Sequence, residues 1–264
     1  MLKVNNVTKI FNKSMNVEDI KVALDNVTVE VNDGDFITVI GGNGSGKSTL
    51  LNIISGAHMV ESGSIMIDGV DVTNLPQHKR AKYIGIVFQD PMHGTAANMS
   101  VLENLLIASR RAKPKKLSWG FDSKLNDEFK KTLSELNLGL ENRLNQKIGL
   151  LSGGQRQAIT LLMATIDKPK LLLLDEHTAA LDPKTGKTVL ELTERIVSEN
   201  KLTTIMITHN MRDALRYGNR ILMLNEGKII LDASGADKKN LTIEYLLKKF
   251  DEDNIVISDT MVLN

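Results

Sequence analysis

Eight residues, Gly41-Gly42-Asn43-Gly44-Ser45-Gly46-Lys47-Ser48, set glycine, four intervening positions, glycine, lysine and serine in the spacing of a phosphate cradle. Glycines let a backbone turn its N–H groups inward with no Cβ in the way, and a helix starting there adds its positive end. Lys47 can then reach the β- and γ-phosphates of a nucleotide, and Ser48 can ligate Mg²⁺. Thr49 completes the candidate phosphate contacts. Two adjacent acids, Asp175-Glu176, follow the apolar run Leu171-Leu172-Leu173-Leu174. Neighbours on a strand point to opposite sides, so the acids can divide the work. Asp175 can hold the Mg²⁺ shell, directly or through water, and Glu176 can face the water that attacks the γ-phosphorus. An ordinary acid pair at a strand end is the alternative, and a glycine turn beside a chance lysine is that of the cradle; their joint presence weighs against both. A third group, Ser152-Gly153-Gly154-Gln155, precedes Arg156-Gln157-Ala158-Ile159-Thr160-Leu161-Leu162. Ser152 can cap that helix, whose N-terminus is a second anion-binding end, or a capped end with no ligand.

The elements that must carry these groups read as an α/β protein. Asp35-Phe36-Ile37-Thr38-Val39-Ile40 is an apolar, β-branched strand before the cradle, and Thr49-Leu50-Leu51-Asn52-Ile53-Ile54 is a helix after it. Residues 3–10 and the alternating run Val27-Thr28-Val29-Glu30-Val31, closed by Asn32-Asp33-Gly34, predict an antiparallel β layer, continued by Gly63-Ser64-Ile65-Met66-Ile67. After the run Gly85-Ile86-Val87-Phe88-Gln89 roughly seventy residues carry helical periodicity, with Phe129, Leu133 and Leu136 on one face as a packing stripe. From Lys170 onward apolar strands alternate with helices, one of them around Thr188 to Ser198, before the strand Thr204-Ile205-Met206-Ile207. Near-continuous apolar strands of this kind predict a parallel sheet covered on both faces.

Composition narrows the function classes. With 264 residues, 42% of them hydrophobic, the chain can bury one α/β core and an attached lobe. A net charge of +1 supplies no global field to recruit nucleic acid or anionic lipid. There are no cysteines, hence no disulfide and no thiolate metal site, a composition that suits the cytoplasm. The N-terminus shows no signal segment, and the longest apolar stretch, Ala158 to Ile166, falls far short of the ~20 residues that cross a bilayer. Any membrane role is therefore expected to come through another subunit.

Taken in order, the cradle at 41–48, Gln89 after a β-run, Leu151-Ser152-Gly153-Gly154-Gln155, Asp175-Glu176, Ala180-Leu181-Asp182 and Thr208-His209 resemble the ATP-binding subunits of ABC transporters, from about residue 2 to 235. The resemblance implies a P-loop NTPase core: a mixed parallel sheet with helices on both faces, an N-terminal antiparallel β layer and an inserted α-helical subdomain. It implies one ATP-binding domain over 1–240, with the helical part at about 90–160, then a C-terminal helix and tail over 241–264. Carried over by position, Glu176 resembles the general base, His209 a γ-phosphate contact that shares catalysis with Lys47, and Asp182 a link between two active sites. Gln89 resembles the sensor of Mg²⁺ and of the transmembrane partner, and joins Ser48 and Asp175 around the metal. Phe11 lies where the family places an aromatic that stacks on adenine, usually Tyr; a core phenylalanine is the other reading. The segment Asn12 to Lys21 is longer than in many members, which leaves the approach of that loop open.

Two anion-binding helix ends suit one triphosphate approached from two sides, and the simplest geometry is a head-to-tail pair of copies with ATP sandwiched at each of two sites. The implied partners are a second copy, a transmembrane permease and, through it, an extracytoplasmic solute-binding protein, with no nucleic acid; the implied place is the cytoplasmic face of the membrane. Gly94 to Asn104, Leu-Leu-Ser-Gly-Gly-Gln-Arg-Gln and Asp-Glu-His-Thr-Ala-Ala-Leu-Asp-Pro are similar to a bacterial subgroup associated with import of amino acids such as tryptophan or tyrosine. The rivals are the ATPase of an exporter or lipoprotein-release complex and a non-transport ABC ATPase in DNA repair, translation or cofactor assembly. His177 stands where most of the wider family has Pro, although histidine is usual in the subgroup. Beside the base it raises the expectation of turnover that changes between roughly pH 6 and 7, against a loop residue pointing to solvent or across the dimer. Arg110, Arg111, Lys113, Lys115, Lys116 and Trp119 form a basic and aromatic cluster, read as a solvated face or as an edge near lipid headgroups or a membrane subunit.

Overall fold

Consecutive apolar residues on one strand bury opposite faces of a sheet. Leu171 and Leu173 lie in one core with Ile205 and Ile207, while Leu172 and Leu174 lie in a second with Val87 and Met206. Each fully buried leucine contributes roughly 1.5–3 kcal/mol, so this strand holds its place only with cover on both sides. In the computed structural model, which describes residues 1–12, 20–111 and 123–252, that cover is a helical layer on one face and a second sheet with one helix on the other.

The chain begins with β1 (Leu2–Phe11), β2 (Lys21–Val31), β3 (Phe36–Gly41), α1 (Lys47–Ser55), β4 (Ser62–Ile67), β5 (Val70–Asp71), α2 (Gln77–Arg80) and β6 (Ile84–Val87). The helical insertion follows as α3 (Val101–Ala108), α4 (Ser123–Glu135) and α5 (Gly153–Thr165). It returns to β7 (Leu171–Asp175), α6 (Pro183–Asn200), β8 (Thr203–Ile207), α7 (Met211–Arg216), β9 (Arg220–Asn225), β10 (Lys228–Ser234), α8 (Gly235–Lys239) and α9 (Ile243–Glu252). One sheet is antiparallel, in the order β2-β1-β4-β5. The other runs β10-β9-β3-β8-β7-β6, parallel from β9 to β6 with β10 antiparallel at its edge. Parallel strands deliver their C-terminal ends to one side, where ligands of open α/β sheets bind. Val39 pairs with Ile207 and Ile207 with Asp175, so the ends of β3, β8 and β7 stand side by side.

Among the inserted helices Phe129, Leu133 and Leu136 are buried in the core shared with Leu162, Leu172 and Met206, so the stripe is packing. Two element boundaries differ from the sequence reading. The strand before Gln89 stops at Val87, which leaves Phe88 and Gln89 on the loop beyond it. Helix α6 begins at Pro183 instead of near Thr188, because Asp182 accepts from Thr185 N as N-cap and proline suits the first helical position. Toward the C-terminus α9 buries Leu246 and Phe250 against Met211 and Ala214 of α7. Residues 253–264 lie outside the described residues, as do 13–19 of the Asn12 to Lys21 segment and Lys113, Lys115, Lys116 and Trp119 of the basic cluster. Of that cluster Arg110 and Arg111 are exposed, the second reaching the Ala164 carbonyl at 3.5 Å. Among the described residues no helix is long and apolar enough to cross a membrane.

Candidate active site

Between β3 and α1 the chain turns through Gly46, the N-cap of α1, at φ 106°. A Cβ there would lie 2.5 Å from the Ala23 carbonyl oxygen, so the approach of β2 to the cradle requires glycine. No side chain caps α1, and its first N–H groups remain available to an anion. Lys47 is buried and donates to the carbonyls of Gly41 at 2.8 Å and Gly42 at 2.9 Å. Burial pushes its ammonium below the ordinary lysine range, opposed by the Glu176 and Asp175 carboxylates. Among the described residues no carboxylate lies within ion-pair distance of Lys47, and the buried Ser45 hydroxyl has no partner. A cation without a counter-ion, an orphaned hydroxyl and free helix N–H groups fit a polyphosphate. They face a cleft of about 210 Å³ lined by Phe11, Lys21, Ala23 and residues 44–49.

The acids of β7 meet this cradle. Asp175 Oδ1 lies 3.5 Å from Ser48 Oγ. Burial raises the Asp175 pKa, Glu176 raises it further, and the Ser48 hydroxyl, Lys47 and His209 oppose the shift. Crowded carboxylates of this kind are relieved by a hard cation, and the oxygen donors of Ser48 and Asp175 are of the type Mg²⁺ takes. Among the described residues no three acidic or imidazole side chains cluster as metal ligands, so phosphate and water would supply the remaining positions. Glu176 sits in left-handed backbone at φ 47°, and its Oε1 lies 2.6 Å from His209 Nε2. Among the described residues His209 Nδ1 is buried without a partner. Thr208 sets this histidine at the end of β8: its hydroxyl accepts from Asn210 N at 3.0 Å, and the Asn210 side chain caps α7.

Gln89 is exposed on a segment tied to α5. Gln157 Nε2 donates to the Phe88 carbonyl at 3.2 Å, and Arg156 Nη1 lies 3.1 Å from Met92 Sδ. Phe11 belongs to no core cluster; half-buried, it lies edge-on to His58 with centroids 5.3 Å apart and carries Lys9 Nζ 5.1 Å from its centroid. Its place at the cleft removes the core reading. Sequence reasoning missed Lys21 on the cleft wall, and it named Thr208 in the motif with His209 without giving it the bond to Asn210 N.

Ser152, Gly153, Gly154 and Gln155 form a separate group. Ser152 and Gln155 complete a capping box at the start of α5, each side chain accepting from the other residue's N–H at 3.3 Å. A Cβ on Gly154 would collide with the Thr185 methyl, so glycine lets α5 press against the first turn of α6. Hydrogen bonding from Thr185 holds the Asp182 carboxyl below the usual carboxylate range. None of these residues lines the cleft at the cradle. One chain thus presents a phosphate cradle with its acids and, outside that cleft, a second helix N-terminus, with Ser152 and Gly153 exposed.

The fold and the cradle together define a P-loop nucleotide hydrolase. A family model described as "ABC transporter" matches residues 24–179, and the chain belongs to that family as an ATP-binding subunit and ATPase. A tyrosine transport ATP-binding protein of Clostridioides difficile (strain R20291) is 44% identical over 251 residues, spanning 95% of this chain and 99% of that one. The spermidine/putrescine import ATP-binding protein PotA of Haemophilus influenzae (strain 86-028NP) is 33% identical over 236 residues, 89% of this chain and 58% of the longer relative. Among solved structures, a dimeric post-hydrolysis state of the ATP-binding cassette MJ0796 bound to ADP and Pi superposes with a TM-score of 0.74 at 30% identity, covering 89% of this chain and 98% of that one.

His177 departs from both expectations stated for it. The residue is 2% exposed, its ring meets Thr193 inside the protein, and burial pushes its pKa down to about 4. The imidazole stays neutral between pH 6 and 7, and it points neither to solvent nor away from the fold.

Proposed function

We propose that two copies of this chain bind Mg²⁺ and ATP between them and hydrolyse it to drive import of an amino acid, tyrosine or a close aromatic relative, through a transmembrane permease. The observation that carries the catalytic reading is the 2.6 Å contact between Glu176 Oε1 and His209 Nε2, one residue beyond the acid that approaches Ser48. Residues 42–49 would hold the phosphates, Phe11 would stack on the base, and Ser48, Asp175 and Gln89 would hold the metal. Mg²⁺ held there would supply positive charge to offset that of the phosphate oxygens. Glu176 takes the proton of the attacking water, whose oxygen bonds the γ-phosphorus as the bond to the bridging oxygen of ADP breaks. His209 steadies that carboxylate and faces the γ-phosphate; Lys47 offsets charge on the phosphate oxygens.

Ser152, Gly153, Gly154 and Gln155 of the second copy close over the same triphosphate, and Asp182 stands beside them to link the two sites. Solute class is supported by the tyrosine transport relative, which matches along nearly its whole length. The permease, a solute-binding protein outside the membrane and a place on the cytoplasmic face belong to the same reading. Lys47→Ala is expected to weaken ATP binding ~10-fold or more, measured by titration calorimetry, by removing the buried charge. Glu176→Gln is expected to bind ATP normally and hydrolyse it ~10²–10⁴-fold more slowly. Undiminished hydrolysis by Glu176→Gln removes the base assignment, and unchanged uptake of labelled tyrosine in cells lacking the chain removes the solute.

A further inference from the structure

Glu176 occupies a backbone conformation that residues with a Cβ rarely adopt, so its surroundings must hold it there. Two backbone bonds help: Glu176 N donates to the Ile207 carbonyl at 3.2 Å, and the Glu176 carbonyl accepts from Ala179 N at 2.9 Å. The next residue turns inward. His177 Nε2 lies 3.0 Å from Thr193 Oγ1, and both side chains are buried. Thr193 Oγ1 already donates its only proton to the Val189 carbonyl, at 2.8 Å. The hydroxyl oxygen therefore has only lone pairs to offer the ring, and the imidazole must be the donor, with a proton on Nε2.

We propose that His177 is a positioning residue for ATP hydrolysis: its Nε2–H bond to Thr193 pins the residue after Glu176 to α6 and so keeps the Glu176 carboxylate on His209. The inference rests on Glu176 being the base. Helix α6 also starts at the Asp182 cap and carries Thr185, the residue packed against Gly154 of the signature helix. Thr193 lies on the same helix, so the base of one site takes its bearing from the element that sets the surface offered to the other.

The test uses the full-length chain with His177→Leu, His177→Gln, Thr193→Val and the double variant His177→Leu/Thr193→Val, alongside Glu176→Gln. Single-turnover and steady-state hydrolysis, ATP affinity and melting temperature are measured for each. His177→Leu and Thr193→Val are each expected to lower kcat ~10–100-fold with KM and ATP affinity within about twofold, since a misplaced catalytic group costs rate before binding. His177→Gln, whose amide can donate from a comparable position, is expected to recover most of the rate, and the double variant to be no slower than the worse single one. Full kcat in Thr193→Val, additive losses in the double variant, or His177→Gln as slow as His177→Leu overturns the proposal. If His177→Leu does not fold, the Thr193→Val and His177→Gln rates still decide. Glu176→Gln separates the two readings: its full activity removes the base assignment, whereas its loss together with full activity of Thr193→Val removes the anchor alone.

Discussion

Among the described residues lysine appears twice as a buried cation, with opposite meanings. Lys47 lies in a cleft open to a ligand, and its two carbonyl partners belong to the cradle itself. Lys238 is closed in, donating to the carbonyls of Tyr217 and Gly218 where α7 gives way to β9. Burial pushes Lys238 down to about 8 from the ordinary lysine value of 10.5. Between these values the unfolded chain binds the proton that the folded chain has released, so stability rises with pH across that window and the group adds no slope below it. Lys238→Met is expected to flatten the rise in melting temperature between pH 8 and 10; an unchanged profile shows that another group is responsible. The sequence offered no sign of this residue, because a lysine in an amphipathic segment reads as solvated until its neighbours are known.

Helix α5 does two jobs at the scale of an element. Its N-terminus is an exposed cap, and one turn in, Gln157 crosses to the Phe88 carbonyl just before Gln89. Gln157 is fully buried, its Nε2 used and its Oε1 without a partner among the described residues. Replacement by leucine keeps the volume and leaves the carbonyl of Phe88 short of a donor, at a cost of about 1–3 kcal/mol. Chemical denaturation of Gln157→Leu measures that cost, and faster hydrogen exchange over residues 88–94 is the expected local sign. A loss below about 0.5 kcal/mol means that the tie is not structural. The helical stripe of Phe129, Leu133 and Leu136 was legible from spacing; that α5 also holds the Gln89 segment was not, since spacing shows which face is buried and not what covers it. Asp182-Pro183, by contrast, is a local start signal that marks the beginning of α6, whereas the apolar period is clear only several residues later.

For the whole molecule, the incomplete pairing of the two anion-binding ends within one chain makes the state of assembly testable. Glu176→Gln with ATP is expected to run as a dimer in size measurements, because unhydrolysed triphosphate keeps both ends engaged. Adding Ser152→Asp should abolish that dimer without harming the fold, since aspartate caps a helix as well as serine does but sets a negative charge where phosphate must approach. A dimer that survives Ser152→Asp places the contact elsewhere.

The cradle, the acids after an apolar strand, the capped glycine pair and the class of fold are all properties of short stretches, and the sequence alone determines them: spacing of glycine and lysine sets backbone reach, and apolar period sets sheet or helix. Which groups meet is a different matter. That Asp175 comes to Ser48, that Glu176 rests on His209, that His177 turns to Thr193 and that Gly154 makes room for Thr185 follow from strand order and helix packing. Contacts between residues far apart along the chain depend on the summed packing of every element between them, and only the tertiary structure decides them.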